Sequence, residues 1–148
     1  VDSKQDRKLA SPKTVPHELV GTWKLMSADD RASPSDPWVP GTFGIPPSGY
    51  FIYDETGHCS VQIMTVPPVR LATPDQPTPA EALQIFNGYI AYYGTYTVKD
   101  GQIHQQVEGA WDPSQVGTDQ ARPYQLKDKD TLIIGDQVTY RRTLKRVC

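Results

Sequence analysis

The chain has 148 residues, which fits one domain with its own core and needs no metal or disulfide framework. Its 15 Lys and Arg and 17 Asp and Glu give a net charge of -2 with the two signs interspersed, so the balance asks for no nucleic-acid partner. No apolar run approaches membrane-spanning length, and none asks for a membrane partner.

In chain order, residues 1–18 read as a flexible polar arm and 19–148 as the folded domain. Leu19–Ser27 alternates, with Trp23, Leu25 and Ser27 on one face and Thr22, Lys24 and Met26 on the other, and reads as the first strand. Ten of the 14 prolines then fall between Pro34 and Pro79, in two blocks at 30–48 and 66–79. Proline lacks the donor a sheet requires, so both blocks are long loops. Trp38 and Phe43 either anchor the first loop or form part of a lid over a binding site. Between the blocks, Gly49–Tyr53 and His58–Thr65 form a hairpin about Asp54-Glu55-Thr56-Gly57, with Gly57 placed for positive φ.

One helix is predicted over Pro79–Asn87. Thr78 is its N-cap, Pro79 stands at the first helical position, Glu81 completes a capping box and Gly88 ends it in the left-handed conformation. Its apolar face, Ala82, Leu83, Ile85 and Phe86, is expected to cover an end of the fold. Five strands with short connections follow: Tyr89–Val98, Gln102–Ala110, Val116–Lys127, Thr131–Ile134 and Gln137–Lys145. Eight short strands and one helix describe an all-β fold, a closed up-and-down antiparallel barrel, with a sandwich as the alternative. The basic cluster Arg141, Arg142, Lys145 and Arg146 reads as a solvated final strand rather than a phosphate patch.

The chemistry-bearing residues exclude several classes. His17, His58 and His104 lie in unrelated segments, and adjacent His58 and Cys59 point to opposite faces of a strand, so no metal site is expected. Phosphate-loop, dinucleotide and Gly-x-Ser-x-Gly motifs are missing, and no cofactor is expected. Cys59 and Cys148 are either unpaired or joined in one disulfide, which requires an oxidising compartment. The chain opens Val1-Asp2 without Met, as after removal of a secretory leader or where a longer chain has been cut. The expectation that goes with the disulfide is a secreted or secretory-pathway protein.

Gly21-Thr22-Trp23 at the start of the first strand is similar to the Gly-x-Trp signature of lipocalins. Gly88-Tyr89-Ile90-Ala91-Tyr92-Tyr93-Gly94-Thr95-Tyr96 resembles the central motif of the lipocalin-like domain family of bacteria and fungi. His104 through Gly109, Asp112-Pro113, Val116-Gly117-Thr118, Arg122, Gly49-Tyr50, Gly57 and Ser60–Ile63 extend that resemblance over roughly residues 19–146. The family often has Trp before its closing Arg, where this chain has Leu144-Lys145-Arg146, so either Arg146 or Arg142 packs over Trp23. The resemblance implies a barrel with an internal pocket. It implies little about chemistry: some members lie near natural-product pathways in fungi, and lipocalin-like barrels include both carriers and cofactor-free cyclases or isomerases.

In a closed barrel alternate residues face inward, and a one-residue shift reverses the answer. On Gln102–Ala110 the two sets are His104, Gln106, Glu108 and Ile103, Gln105, Val107. The family match falls on His104, Glu108 and Arg122. The reading carried forward therefore makes His104 and Glu108, ~13 Å apart on one face, base and acid at opposite ends of a substrate, with Tyr96 a third catalytic candidate. Trp38, Tyr50, Gln62, Tyr89, Tyr92, Trp111, Arg122 and Tyr124 are the candidate ligand-binding residues. The expected function is cofactor-independent cyclisation, isomerisation or dehydration of a small hydrophobic molecule in secondary metabolism, by a monomer or homodimer. The alternative is a carrier that releases its ligand unchanged, and a third reading is a secreted interaction protein with a filled barrel.

Overall fold

A computed structural model describes residues 15–41 and 43–147 of the chain. Nine strands and one helix follow one another: β1 (Gly21–Asp30), β2 (Val39–Pro40), β3 (Ser48–Tyr53), β4 (His58–Met64), α1 (Pro79–Asn87), β5 (Tyr89–Lys99), β6 (Gln102–Ala110), β7 (Asp119–Asp128), β8 (Thr131–Ile134) and β9 (Tyr140–Arg146). From β3 to β9 each strand pairs antiparallel with the next, and β1 closes the ring by pairing with β3 and β9. The result is the expected eight-strand up-and-down barrel. The two-residue β2 is an addition at the far end of β1, opposite Asp29 and Asp30.

Turn chemistry explains the connections. The Asp54 carboxylate accepts from the backbone N–H groups of Thr56 and His58 at 2.9 Å each, and Gly57 takes φ 86° to close the β3–β4 turn. Asp100 and Gly101 both have positive φ, 53° and 72°, as a two-residue hairpin between β5 and β6 requires. Asp136 gathers the N–H groups of Val138, Thr139 and Tyr140 before β9 begins.

The lower half of the barrel is filled. Leu19, Trp23, Tyr53, Ile103, Leu132 and Leu144 are fully buried, with Leu25 and Tyr96 beside them. The Arg146 guanidinium lies 4.3 Å over the Trp23 ring and donates to the carbonyls of Val20, Glu18 and Lys129. Arg146 rather than Arg142 therefore seals this end. The indole of Trp23 donates to Leu19 O at 2.9 Å.

Several expectations need correction. A bulge between Leu25 and Ser27 shifts the phase of β1, so Ala28 is buried and Ser27 pairs with outward Thr143. The final strand is not a solvated one, because Arg142 and Arg146 turn inward, with side chains 19% and 24% exposed. The capping box at Thr78 and Glu81 forms as expected, but Gly88 has φ -101°, outside the left-handed region. A Cβ there would meet Thr65 Oγ1 at 2.9 Å, so the requirement is close approach, not handedness. The helix covers no end of the barrel: none of its residues is buried, and Leu83 is 61% exposed. Trp38 stacks between the Arg31 and Arg141 guanidiniums, each 4.1 Å from its ring, while Phe43 is buried in the core, so both anchor their loop. Cys59 is buried and forms no disulfide among the described residues; Cys148, its one possible partner, lies outside them, as does most of the arm, residues 1–14. Val15 packs on the core.

Candidate functional site

The upper half of the barrel holds a cavity of about 350 Å³. That lies within the range of small-molecule sites. Phe51 of β3, Val61 and Ile63 of β4, Ile90 of β5 and Ile134 of β8 form its apolar wall. Tyr92, Gln105, Arg122, Tyr140 and Arg142 interrupt that wall with polar groups.

Strand pairing explains why these side chains meet. Directly opposite residues share a face, and Phe51, Val61 and Tyr92 form one such row across β3, β4 and β5. Ile103 and Arg122 form another across β6 and β7, and Ile134 and Arg142 a third across β8 and β9. On β6 the buried set is Ile103, Gln105 and Val107, one amide between two aliphatic neighbours. A bulge between Tyr93 and Gly94 leaves Glu108 without a partner across from it, so Gly109 then faces outward Tyr93.

The electrostatics of the cavity follow from burial. Gln105 is 1% exposed and donates its amide to the Tyr53 hydroxyl at 3.1 Å. Its amide oxygen is buried without a hydrogen-bond partner among the described residues, a loss of about 1–3 kcal/mol unless another donor reaches it. Burial pushes the Tyr92 hydroxyl well above its ordinary range, and the Arg122 guanidinium pulls it part of the way back. Burial, with Tyr92 adding to it, raises Tyr53 as well. Arg142 is held at 3.2 Å by Asp30, whereas among the described residues Arg122 donates to the Ala121 carbonyl and the Gln120 amide oxygen alone, each at 3.0 Å.

Of the sequence candidates, Tyr92 and Arg122 line this cavity. Tyr124 packs partly buried against the core, opposite the cavity residue Ile134, but does not itself line the cavity. Tyr96 points inward lower down, and its hydroxyl donates to Asp54 O at 2.8 Å, pinning the β3–β4 turn. Burial pushes that hydroxyl up to about 12. His104 and Glu108 stand on the outer wall: the ring of His104 lies 3.4 Å from Asp119 Oδ2, and Glu108 is exposed. Tyr50 and Gln62 form an exposed cross-strand pair. Gln62 and Trp111 border a separate groove on the outer surface, beside Tyr93. Trp111 donates its indole N–H to Phe86 O at 3.0 Å and lies 6.0 Å from the Phe86 ring, joining α1 to the β6–β7 loop. Tyr89 borders a smaller apolar cleft with Ile85, Met64 and Val69.

Sequence reasoning missed Gln105, Tyr140 and Arg142. Gln105 carried a readable signal, since a glutamine amid Ile103 and Val107 is a polar residue placed among core residues. Tyr140 and Arg142 alternate with Leu144, the one aliphatic residue within β9, and that pattern marks its inward face. Among the described residues, no group of three or more His, Cys, Asp or Glu is placed to hold a metal ion, and no helix is long and apolar enough to cross a membrane.

A family model described as a lipocalin-like domain matches residues 20–145. No curated protein matches the chain. Among solved structures, an uncharacterized protein from Bacteroides eggerthii DSM 20697 is similar at 12% identity with a TM-score of 0.47, over 86% of this chain and 98% of that one.

Proposed function

Because the chain belongs to the lipocalin-like domain family, we propose that it binds a small, largely hydrophobic molecule inside its barrel. The observation that carries this reading is the 350 Å³ cavity, where five apolar side chains surround a few convergent polar groups. Native mass spectrometry of the purified chain tests it. The expected result is an added mass that disappears in Ile90→Trp, a substitution that fills the cavity from its wall. A protein that takes up no small hydrophobic molecule, with Ile90→Trp melting and binding like the parent, overturns it.

A second reading is that the bound molecule is cyclised, isomerised or dehydrated without a cofactor. One arrangement favours it: Tyr92 and Arg122 are hydrogen-bond donors set among apolar walls. Such donors stabilise negative charge developing on a carbonyl oxygen, and confinement of a reactive conformer supplies much of the remaining acceleration. His104 and Glu108 have no part in this scheme, since they are outside the cavity. Recovery of the co-purified molecule unchanged after long incubation with the protein supports the carrier. Its conversion, slowed in Tyr92→Phe, supports the catalyst.

A further inference from the structure

We infer that the molecule held in the barrel is an organic acid whose carboxylate pairs with Arg122, an inference that rests on reading the cavity as a binding site. A guanidinium stays charged at any ordinary pH, and taking it out of water is costly unless an anion compensates. The arginines of β9 all have such an anion: Arg141 lies 3.0 Å from Asp29, Arg142 lies 3.2 Å from Asp30 and Arg146 lies 3.7 Å from Asp130. Arg122 is different. It is partly buried, its hydrogen bonds go to the neutral acceptors Ala121 O and Gln120 Oε1, and no carboxylate lies within ion-pair distance of it among the described residues.

Both guanidiniums on the cavity wall come from neighbouring parts of the ring, but the Asp30 carboxylate balances only Arg142. The cavity therefore carries a net positive charge, centred on Arg122. Its surroundings, Ile134 and Ile90 among them, lower the local dielectric and strengthen the attraction for an anion. The geometry of the ring sets the ligand's shape. β3 stands four strands from β7 around the eight-strand barrel, so Phe51 faces Arg122 from the opposite wall. An acid with its carboxylate at Arg122 extends its apolar body towards Phe51, Val61 and Ile63.

The test compares two acids, decanoate and naphthoate, each beside its uncharged methyl ester, by calorimetry on the full chain at neutral pH. The expected result is that at least one acid binds roughly tenfold or more tighter than its ester, the contribution of a charge-assisted hydrogen bond. Arg122→Gln is expected to bring the acid-to-ester affinity ratio down to about one, and Arg122→Lys to retain part of it. Thermal melting of each variant establishes that it is folded, and Arg122→Lys carries the test if Arg122→Gln is not. Esters binding as tightly as their acids, or an acid preference that survives Arg122→Gln, overturns the inference while leaving the cavity reading intact. No binding by any of the four probes, with no added mass on the native protein, overturns both.

Discussion

At the scale of single residues, the barrel devotes its arginines to different tasks. Arg146 serves the fold, stacking 4.3 Å over Trp23 and donating to three carbonyls that have no strand partner for that purpose. Arg146→Ala removes the stacking on Trp23 and three charge-assisted bonds, two of them to exposed carbonyls that water can satisfy, so it is expected to destabilise the chain by about 1–2 kcal/mol in urea unfolding. Ligand affinity should be unchanged in Arg146→Ala, because Arg146 lies at the opposite end from the cavity. How much of this was readable before the fold was known differs by residue. The packing of an arginine over Trp23 was legible from the resemblance to lipocalins, as a choice between Arg142 and Arg146. The choice itself depends on where β9 meets β1, and Trp23 stands opposite Arg146. Tyr92 and Arg122 were legible as ligand-facing candidates. His104 and Glu108 were misplaced because both sets of residues on β6 are part polar, and only tertiary packing decides which set turns in.

At the scale of elements, two features make separate predictions. The capping box of α1 is complete, with Thr78 Oγ1 accepting from Glu81 N at 3.2 Å and Glu81 accepting from Thr78 N at 2.9 Å. Thr78→Ala should cost about 1 kcal/mol. Because no residue of α1 is buried, that loss is expected to appear as faster hydrogen exchange across residues 79–87, with the melting temperature of the barrel unchanged. The β5–β6 pair is less tolerant. A Cβ on Gly94 would lie 1.9 Å from Gln106 O, a backbone atom fixed by the bulge, so Gly94→Ala is expected to cost about 2–3 kcal/mol in urea unfolding. The turns were legible because Asp, Gly and Thr announce them locally. The bulges in β1 and β6 were not, since each is fixed by how a whole strand fits its neighbours. The exposed face of α1 was misread for a related reason: an apolar periodicity says that a face wants cover, not what the topology sets beside it.

For the whole molecule, burial and turn hydrogen bonds define a pH window. Asp136 is held below its ordinary range by Thr139 and neighbouring backbone N–H groups, and Asp54 by Thr56 and His58. A carboxylate lowered in the folded state stabilises it above the unfolded value, about 3.9, and that contribution is lost as pH falls further. On the alkaline side, burial pushes the Cys59 thiol up to about 11 and Tyr96 up to about 12. The unfolded chain then releases protons that the folded one keeps, so stability declines once pH rises past about 8.5 for the thiol and about 10 for the phenol. Melting temperature measured from pH 2 to 11 should therefore fall at both ends. Asp136→Asn should flatten the acid limb and Cys59→Ala the beginning of the alkaline one.

The packed lower half of the barrel also governs exchange. With Trp23, Leu25, Tyr53 and Tyr96 filling that end, a molecule in the cavity leaves by the route it entered, and a second molecule cannot enter behind it. Displacement is then strictly sequential: the site empties before it refills. The dissociation rate followed by stopped flow is expected to stay constant however much competitor is added, and residence time becomes a property of the cavity and its mouth alone.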